Sequence, residues 1–130
     1  ELGMTERVRP LVEQVRRMVE ESGVRTGICQ VFIPHTTAGV TINENADPTV
    51  RRDLETFMAR LAPDGDPMFA HQDEGPDDMP AHIKASLLGN SITIPITKGK
   101  LNLGTWQGIY LWEHRTAPHS RRVIVTVQGE

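Results

Sequence analysis

Five histidines are the residues of this sequence with the clearest capacity for chemistry. His35 follows an apolar segment, His71 lies in an acidic stretch, and His82 opens a short apolar run. Imidazole is the commonest metal ligand in proteins and exchanges protons near neutral pH. Three imidazoles with an open fourth position would suit a catalytic zinc ion. The spacing of these histidines matches no standard local metal motif, so ordinary surface or core roles stay open for each of them.

The remaining two histidines are weaker candidates. His114 ends a tryptophan-rich segment, and His119 lies in a predicted exposed turn. We therefore interpret His119 as a surface residue.

Carboxylates surround the central histidines. Residues 64–78 carry six carboxylates and neither lysine nor arginine. They would bind a metal or orient its histidine ligands, although a solvated acidic loop is the commoner case. Glu44 is interpreted as a general base, a carboxylate behind the ligands or an exposed residue, whereas Asp47 is better explained as a helix cap.

Length and composition restrict the class of protein. The 130 residues predict one domain, 1–130, in which residues 1–4 are interpreted as an added tag or a processed end. A net charge of −3 gives no basic excess for nucleic-acid binding. Cys29 is the only cysteine, which excludes an internal disulfide and a cysteine-rich zinc site. No membrane span or signal peptide is visible, so we expect a cytoplasmic protein.

Periodicity places these residues on predicted elements. An amphipathic helix is predicted over 5–22, either capped by Thr5 or with its regular part beginning at Pro10, and strands are predicted over 26–34 and 40–45. Asp47 and Pro48 begin a second helix. Residues 68–79 form a loop, and a short helix starts at Pro80 and carries His82.

The last forty residues predict three strands. Segments 91–97, 101–115 and 122–128 have strand composition and are separated by turn signals. We expect them to form an antiparallel meander. Together with the helices they predict an α+β single domain with a largely antiparallel β-sheet and two to three packed helices.

Segment 101–115 contains both tryptophans, Trp106 and Trp112. One interpretation is a central core strand. The other is a strand that presents Gln107, Glu113 and His114 to a site.

Several motifs in a fixed order resemble one known family, the small YjbQ-like proteins catalogued as UPF0047. They occur at residues 35–38, 43–47, 76–82, 91–95, 99 and 103–109, and the region 113–122 fits the same family. The resemblance covers residues from about 24 to the C-terminus.

This resemblance implies an α+β fold assembled as a homotrimer. It also implies a weak thiamine-phosphate synthase activity, in which a thiazole phosphate nitrogen attacks the methylene of an aminopyrimidine diphosphate and pyrophosphate leaves. The expected partner is thus a phosphorylated small molecule, and the expected cofactor is a divalent metal ion, Zn²⁺ or Mg²⁺. The residues that the resemblance assigns are His35, His71 and His82 as metal ligands, and Glu44, Asp78, Gln107 and Glu113 as catalytic or site-lining groups.

Two other functions stay open at this stage. One is a metal-dependent hydrolase or lyase with histidine ligands, and the other is a non-catalytic trimeric binding protein. The sequence shows no compact anion-binding motif for a departing diphosphate. Whether the protein is an enzyme is therefore left undecided.

Overall fold

The computed structural model describes residues 7–130. The predicted tag or processed end, residues 1–4, and the predicted cap Thr5 lie outside this range. The elements, in chain order, are β1 Val8–Pro10, α1 Val12–Ser22, β2 Thr26–Phe32, β3 Ala38–Glu44, α2 Pro48–Leu61, α3 Asp78–Leu88, β4 Ser91–Thr97, β5 Lys100–Leu101, β6 Gln107–Glu113 and β7 Ile124–Gly129.

A first helix that runs unbroken from residue 5 is wrong, and the alternative start at Pro10 lies two residues before the observed one. Val8–Pro10 is instead a short edge strand that pairs antiparallel with β6, and α1 begins only at Val12. Pro10 explains the difference, because proline disfavours a helical conformation in the residue before it yet is tolerated on an edge strand. Gly23 ends α1 with a positive φ, as its position after the last apolar turn predicts.

The strands form two antiparallel sheets. The tryptophan strand β6 is the centre of a three-stranded sheet with the order β1-β6-β3. The second sheet has four strands in the order β5-β4-β2-β7. The predicted C-terminal meander is therefore wrong: β4 and β7 flank β2, and β6 lies in the other sheet. Strand periodicity identifies which residues share a face, but it does not identify the neighbouring strand.

The main core fills the space between the inner faces of the two sheets. Its buried apolar residues come from α1, from both sheets and from the end of β2, and they are Val15, Val19, Cys29, Val31, Ile33, Ala38, Val40, Ile94, Ile96, Ile109 and Leu111. Burial raises the pKa of the Cys29 thiol, which agrees with an inert core cysteine.

The opposite face of the three-stranded sheet supports α2 and α3. Tyr110 and Trp112 project from β6 onto this side and pack with Val8 and Met58. Helix α2 begins as predicted, with Pro48 at its first position and the Asp47 carboxylate accepting a 2.9 Å hydrogen bond from the Thr49 amide. This packing fixes α3, and with it His82, against the sheet.

Within residues 7–130 the architecture confirms the predicted single-domain α+β fold with antiparallel strands and two to three helices, of which three are observed there. Assembly as a homotrimer stays a prediction. None of the helices within residues 7–130 is long and apolar enough to cross a membrane.

Candidate metal centre

Two ligand candidates lie on one face of α3. Asp78 is the first residue of this helix and His82 lies four positions later, so both side chains project on the same side. His71 reaches the same point from the loop that precedes the helix. Its Nε2 lies 2.7 Å from Asp78 Oδ2, and the His82 Nε2 lies 3.1 Å from that same oxygen.

The donor set of this cluster fits a transition-metal ion. One ligand atom from each of His71, Asp78 and His82 lies within 4.8 Å of the other two. A tetrahedral ion with bonds of about 2.0–2.1 Å spreads its ligand atoms about 3.3 Å apart, so adjustment of these side chains would admit one. Two imidazoles and one carboxylate match Zn²⁺ and other transition metals better than Mg²⁺, which prefers oxygen ligands.

Asp78 is the buried centre of the cluster. Its side chain is 1 % exposed, against 42 % for His71 and 33 % for His82. Burial by itself raises the pKa of this carboxyl, but the hydrogen bond from His71 and the charges of Arg115 and His82 outweigh that effect and hold the pKa below its usual value. Asp78 is therefore an anion at neutral pH, as a metal ligand must be.

Arg115 fixes the orientation of Asp78. Its Nη1 lies 2.8 Å from Asp78 Oδ1, which leaves Oδ2 facing the histidines. The same guanidinium donates to Asp77 through Nε at 2.8 Å and to the Glu74 carbonyl through Nη2 at 3.0 Å. The Thr116 amide also donates to Asp77. Burial opposes ionisation of Asp77, but these hydrogen bonds hold its pKa well below the usual range.

A cleft lies beside the cluster. It has a volume of about 190 Å³ and shares His71 as a wall with the ligand group. Phe69 and Pro76 give it an apolar side, and Asp66 and Gln72 give it polar groups. A small molecule in this cleft would lie against one of the ligand candidates.

His35 is not part of this ligand group. Its Nε2 accepts a 2.8 Å hydrogen bond from the Arg122 backbone amide. Burial and the charge of Arg121 lower the pKa of His35, despite the opposing charge of Glu113. The structure thus assembles His71 and His82 with Asp78, and it places the third predicted histidine beside the segment that leads to β7.

Glu113 is engaged by cationic and amide donors. Arg121 donates to both carboxylate oxygens, and the Arg115 amide donates to Oε1 at 3.0 Å. Arg121 also donates to the Thr37 hydroxyl at 2.9 Å. A buried carboxylate with this many donors is suited to holding the end of β6 against neighbouring loops. Both of its carboxylate oxygens are occupied by these donors.

Gln107 and Glu44 lie at the other end of the three-stranded sheet. They pair with each other in the register of β3 and β6, whereas Glu113 pairs with Ala38. Six residues of extended chain span about 20 Å, so Gln107 and Glu113 do not converge. The Gln107 Oε1 accepts from the Gly104 amide at 2.8 Å, and the Glu44 carboxylate accepts from the Ala46 amide at 2.9 Å.

Asp78 is predicted to line the site, and in the structure both histidines contact its carboxylate. A signal for this was present, because Asp78 and His82 have the four-residue spacing of one helical face. The helix predicted from the sequence begins at Pro80, so it does not include Asp78. Arg115 had no comparable signal, since its contacts with Asp77 and Asp78 cross almost forty residues of chain.

Fold and site together define a single-domain α+β protein with a compact group of two histidines and one buried carboxylate. The chain belongs to the UPF0047 family, because residues 3–130 match the family model described as UPF0047 protein YjbQ-like. It is 53 % identical over 117 residues to a UPF0047 protein of Synechocystis, covering 90 % of this chain and 80 % of the relative. It is 48 % identical over 118 residues to UPF0047 protein YjbQ of Escherichia coli O157:H7, covering 91 % and 85 %.

Solved structures agree with this assignment. An uncharacterised conserved protein of the same family from Clostridium acetobutylicum superposes with a TM-score of 0.84 at 46 % identity, covering 93 % of this chain and 90 % of that one. A YbjQ-like protein of unknown function from Sulfolobus solfataricus gives a TM-score of 0.81 at 34 % identity, covering 95 % and 87 %.

The predicted thiamine-phosphate synthase function is wrong on these findings. The matching family and relatives carry the UPF0047 designation, and the solved structures are described as uncharacterised or of unknown function. The structure gives a physical reason as well. A departing diphosphate requires cationic groups, and the guanidinium groups of Arg115 and Arg121 are committed to Asp77, Asp78 and Glu113.

Proposed function

We propose that this protein binds one divalent transition-metal ion per chain, with Zn²⁺ as the best match, through His71, Asp78 and His82. The observation that supports the proposal most directly is the meeting of two imidazole Nε2 atoms at a single oxygen of a buried, ionised carboxylate. Such a carboxylate is held in place at its other oxygen by Arg115. Partners of this kind, which orient a ligand from behind, strengthen metal affinity in proteins.

The ligand number favours a site that is open to a further ligand. Three protein ligands leave at least one coordination position for water or a small molecule, as in catalytic rather than structural zinc sites. An ion held there would supply Lewis-acid polarisation of a bound oxygen or nitrogen. The cleft beside His71 gives a small molecule access to this side of the cluster. The phosphorylated ligand expected from the sequence stays a prediction.

Metal titration tests the proposal. Metal-free protein should take up one Zn²⁺ or Co²⁺ per chain by calorimetry, and Co²⁺ should give the visible absorption bands of a low-coordinate site. Asp78→Asn and His82→Ala should each weaken binding at least tenfold, because each removes a proposed ligand. His119→Ala is the matched control, since His119 is exposed and its ring bonds to the Ala117 carbonyl of the same turn.

His35→Ala distinguishes the proposed ligand set, which lacks His35, from the predicted set, which includes it. We expect it to bind the ion with unchanged affinity, because His35 contacts Arg122 and not the cluster. Loss of binding in His35→Ala, or retention of full affinity in both Asp78→Asn and His82→Ala, would show that the proposed ligand set is wrong.

A further inference from the structure

A second, smaller polar cavity lies away from the metal candidates, between α2, α3 and the three-stranded sheet. Its volume is about 20 Å³, enough for one water molecule, which needs about 10–15 Å³ on this measure. The polar residues that line it are Arg7, Glu55, Lys84, Trp112, Glu113 and His114, and the Glu113 carboxylate is already bound by Arg121.

Three polar atoms of these side chains are buried without a hydrogen-bond partner. They are Trp112 Nε1, His114 Nε2 and Glu55 Oε2. Trp112 is 3 % exposed and His114 is 2 % exposed, so bulk water does not satisfy either ring. Buried polar groups of native proteins are nearly always hydrogen-bonded, to protein or to ordered water. Three such atoms on the wall of one cavity therefore indicate a shared ligand.

The charges around the cavity are balanced by pairs, with one exception. Arg7 pairs with Glu55 Oε1 at 3.1 Å and donates to the carbonyls of Glu113 and His114. Lys84 is 7 % exposed, and within residues 7–130 its ammonium makes neither an ion pair nor a hydrogen bond. The cavity is thus lined by the Lys84 side chain and by the Glu55 carboxylate, whose Oε2 has no partner.

His114 lines the cavity as a neutral ring. Burial and the charges of Lys84 and Arg7 lower the pKa of His114 to about 3, so the imidazole is uncharged at neutral pH. A neutral imidazole offers one acceptor nitrogen, and with the proton on Nδ1 that acceptor is the unpartnered Nε2.

We propose that this cavity binds a single water molecule as an internal ligand. Lys84 and Trp112 donate to its oxygen, and its two protons are accepted by Glu55 Oε2 and His114 Nε2. Two donors and two acceptors match the hydrogen-bonding capacity of one water. An anion would be repelled by Glu55, and a cation by Lys84 and Arg7. The bound water links α2, α3 and β6 and completes a solvent-bridged Lys84–Glu55 ion pair. This inference does not depend on the proposed metal site.

Solution NMR of the whole protein tests the water directly. The Trp112 indole N–H should show a negative cross-relaxation peak to a water molecule that stays bound for longer than nanoseconds. Trp106, which is 63 % exposed, is the internal control and should show only rapidly exchanging surface water. Absence of the Trp112 peak would overturn the proposal.

A high-resolution structure of crystals grown in bromide identifies the ligand. We expect a water peak within about 2.7–3.2 Å of Trp112 Nε1 and no anomalous bromine signal in the cavity. An anomalous peak would identify an anion site, and featureless density would identify a dry cavity. Either result contradicts the proposal.

Lys84→Met removes one of the two donors, and Lys100→Met is the exposed control. Lys84→Met should shorten the lifetime of the bound water at least tenfold, whereas Lys100→Met should leave it unchanged. An unchanged lifetime in a folded Lys84→Met protein would contradict the assigned contact. If this variant does not fold, the two wild-type measurements decide the question.

Discussion

At the scale of single residues, Asp78 uses its two oxygens for different purposes. Oδ1 is bound by Arg115, and Oδ2 faces His71 and His82. The carboxylate is therefore oriented before any ion arrives, so little side-chain freedom is lost on binding. This division explains why a nearly fully buried aspartate is retained at the start of α3, where it also complements the helix dipole.

His114 gives a prediction about pH. Its folded pKa of about 3 lies below the unfolded value of about 6.5, so the unfolded chain binds more protons between these values. Stability contributed by the neutral ring is complete above pH 6.5 and is lost as the pH falls towards 3. Between pH 7.5 and pH 5 we expect a loss of about 2 kcal/mol from this group.

Urea unfolding of metal-free protein at several pH values measures this loss. His114→Gln should unfold with a shallower dependence on pH than wild type, and His119→Gln should follow wild type. The same slope in His114→Gln and wild type would contradict the prediction.

Residue types alone indicated where chemistry was concentrated, but not which groups meet. His71, Asp78 and His82 were all recognised as candidates, since imidazoles and carboxylates are ordinary metal ligands. The structure places His35 apart from them, beside the Arg122 amide more than eighty residues away along the chain. No local pattern encodes a contact at that separation.

At the scale of elements, the junction of β3 with the end of α3 holds the helix against the sheet. The Val40 amide donates to the Gly89 carbonyl at 3.2 Å, just beyond the last turn of α3. Gly39 lies beneath this carbonyl, and a Cβ there would clash with the Gly89 oxygen and lie 3.6 Å from His114 Nε2. Close approach of two backbones at this point requires glycine.

Gly39→Ala should consequently lower the free energy of unfolding by about 1–3 kcal/mol, because the end of α3 must move away from β3. Thermal or urea unfolding measures the change. Gly104→Ala is the comparison, since its new Cβ would meet only the end of the Gln107 side chain, which can move. Equal stabilities of the two variants would contradict this account of Gly39.

Most elements were predictable from local sequence. Asp47-Pro48 begins α2, Gly23 ends α1, and the segment 91–97 is a strand with the predicted bounds. The prediction failed where tertiary pairing outweighed periodicity. Val8 and its neighbours fit a helical stripe, yet they complete the edge of the sheet beside β6.

At the scale of the whole molecule, one face of the four-stranded sheet has no helix over it among the described residues. Its outward side chains alternate with the core residues of β2, β4 and β7, and Ile28 and Ile124 are exposed on it. Ile28 lies opposite Pro95, and Phe32 lies opposite Ile124. An exposed apolar sheet face is a common site of association between subunits.

We expect this face to contribute to the predicted homotrimer. Light scattering after size exclusion should give three times the 14.5 kDa chain mass. Ile28→Lys should shift the protein towards monomer, because the new charge would be buried at the contact. Gln14→Lys, on the exposed side of α1, should leave the mass unchanged. A monomeric wild type at micromolar concentration would contradict the trimer prediction.

The class of the fold was predictable and its topology was not. Alternating segments and two strong helices are sufficient for an α+β domain. The strands beside β2 are determined by how the apolar faces of both sheets pack in the assembled core. A local sequence pattern does not show that packing. The predicted meander pairs strands that follow one another along the chain, whereas β4 and β7 instead pair with β2, far earlier in the sequence.

The three ligand candidates of the metal site lie within twelve consecutive residues, 71 to 82. Closing so short a loop costs little chain entropy, so the unfolded chain can also gather these groups around an ion. Binding to unfolded chains reduces the stabilisation that an ion gives to the folded state. An ion captured early would draw Asp78 and His82 onto one helical face and promote the first turn of α3. If the proposed metal site binds an ion, we therefore expect metal uptake to precede completion of the fold rather than follow it.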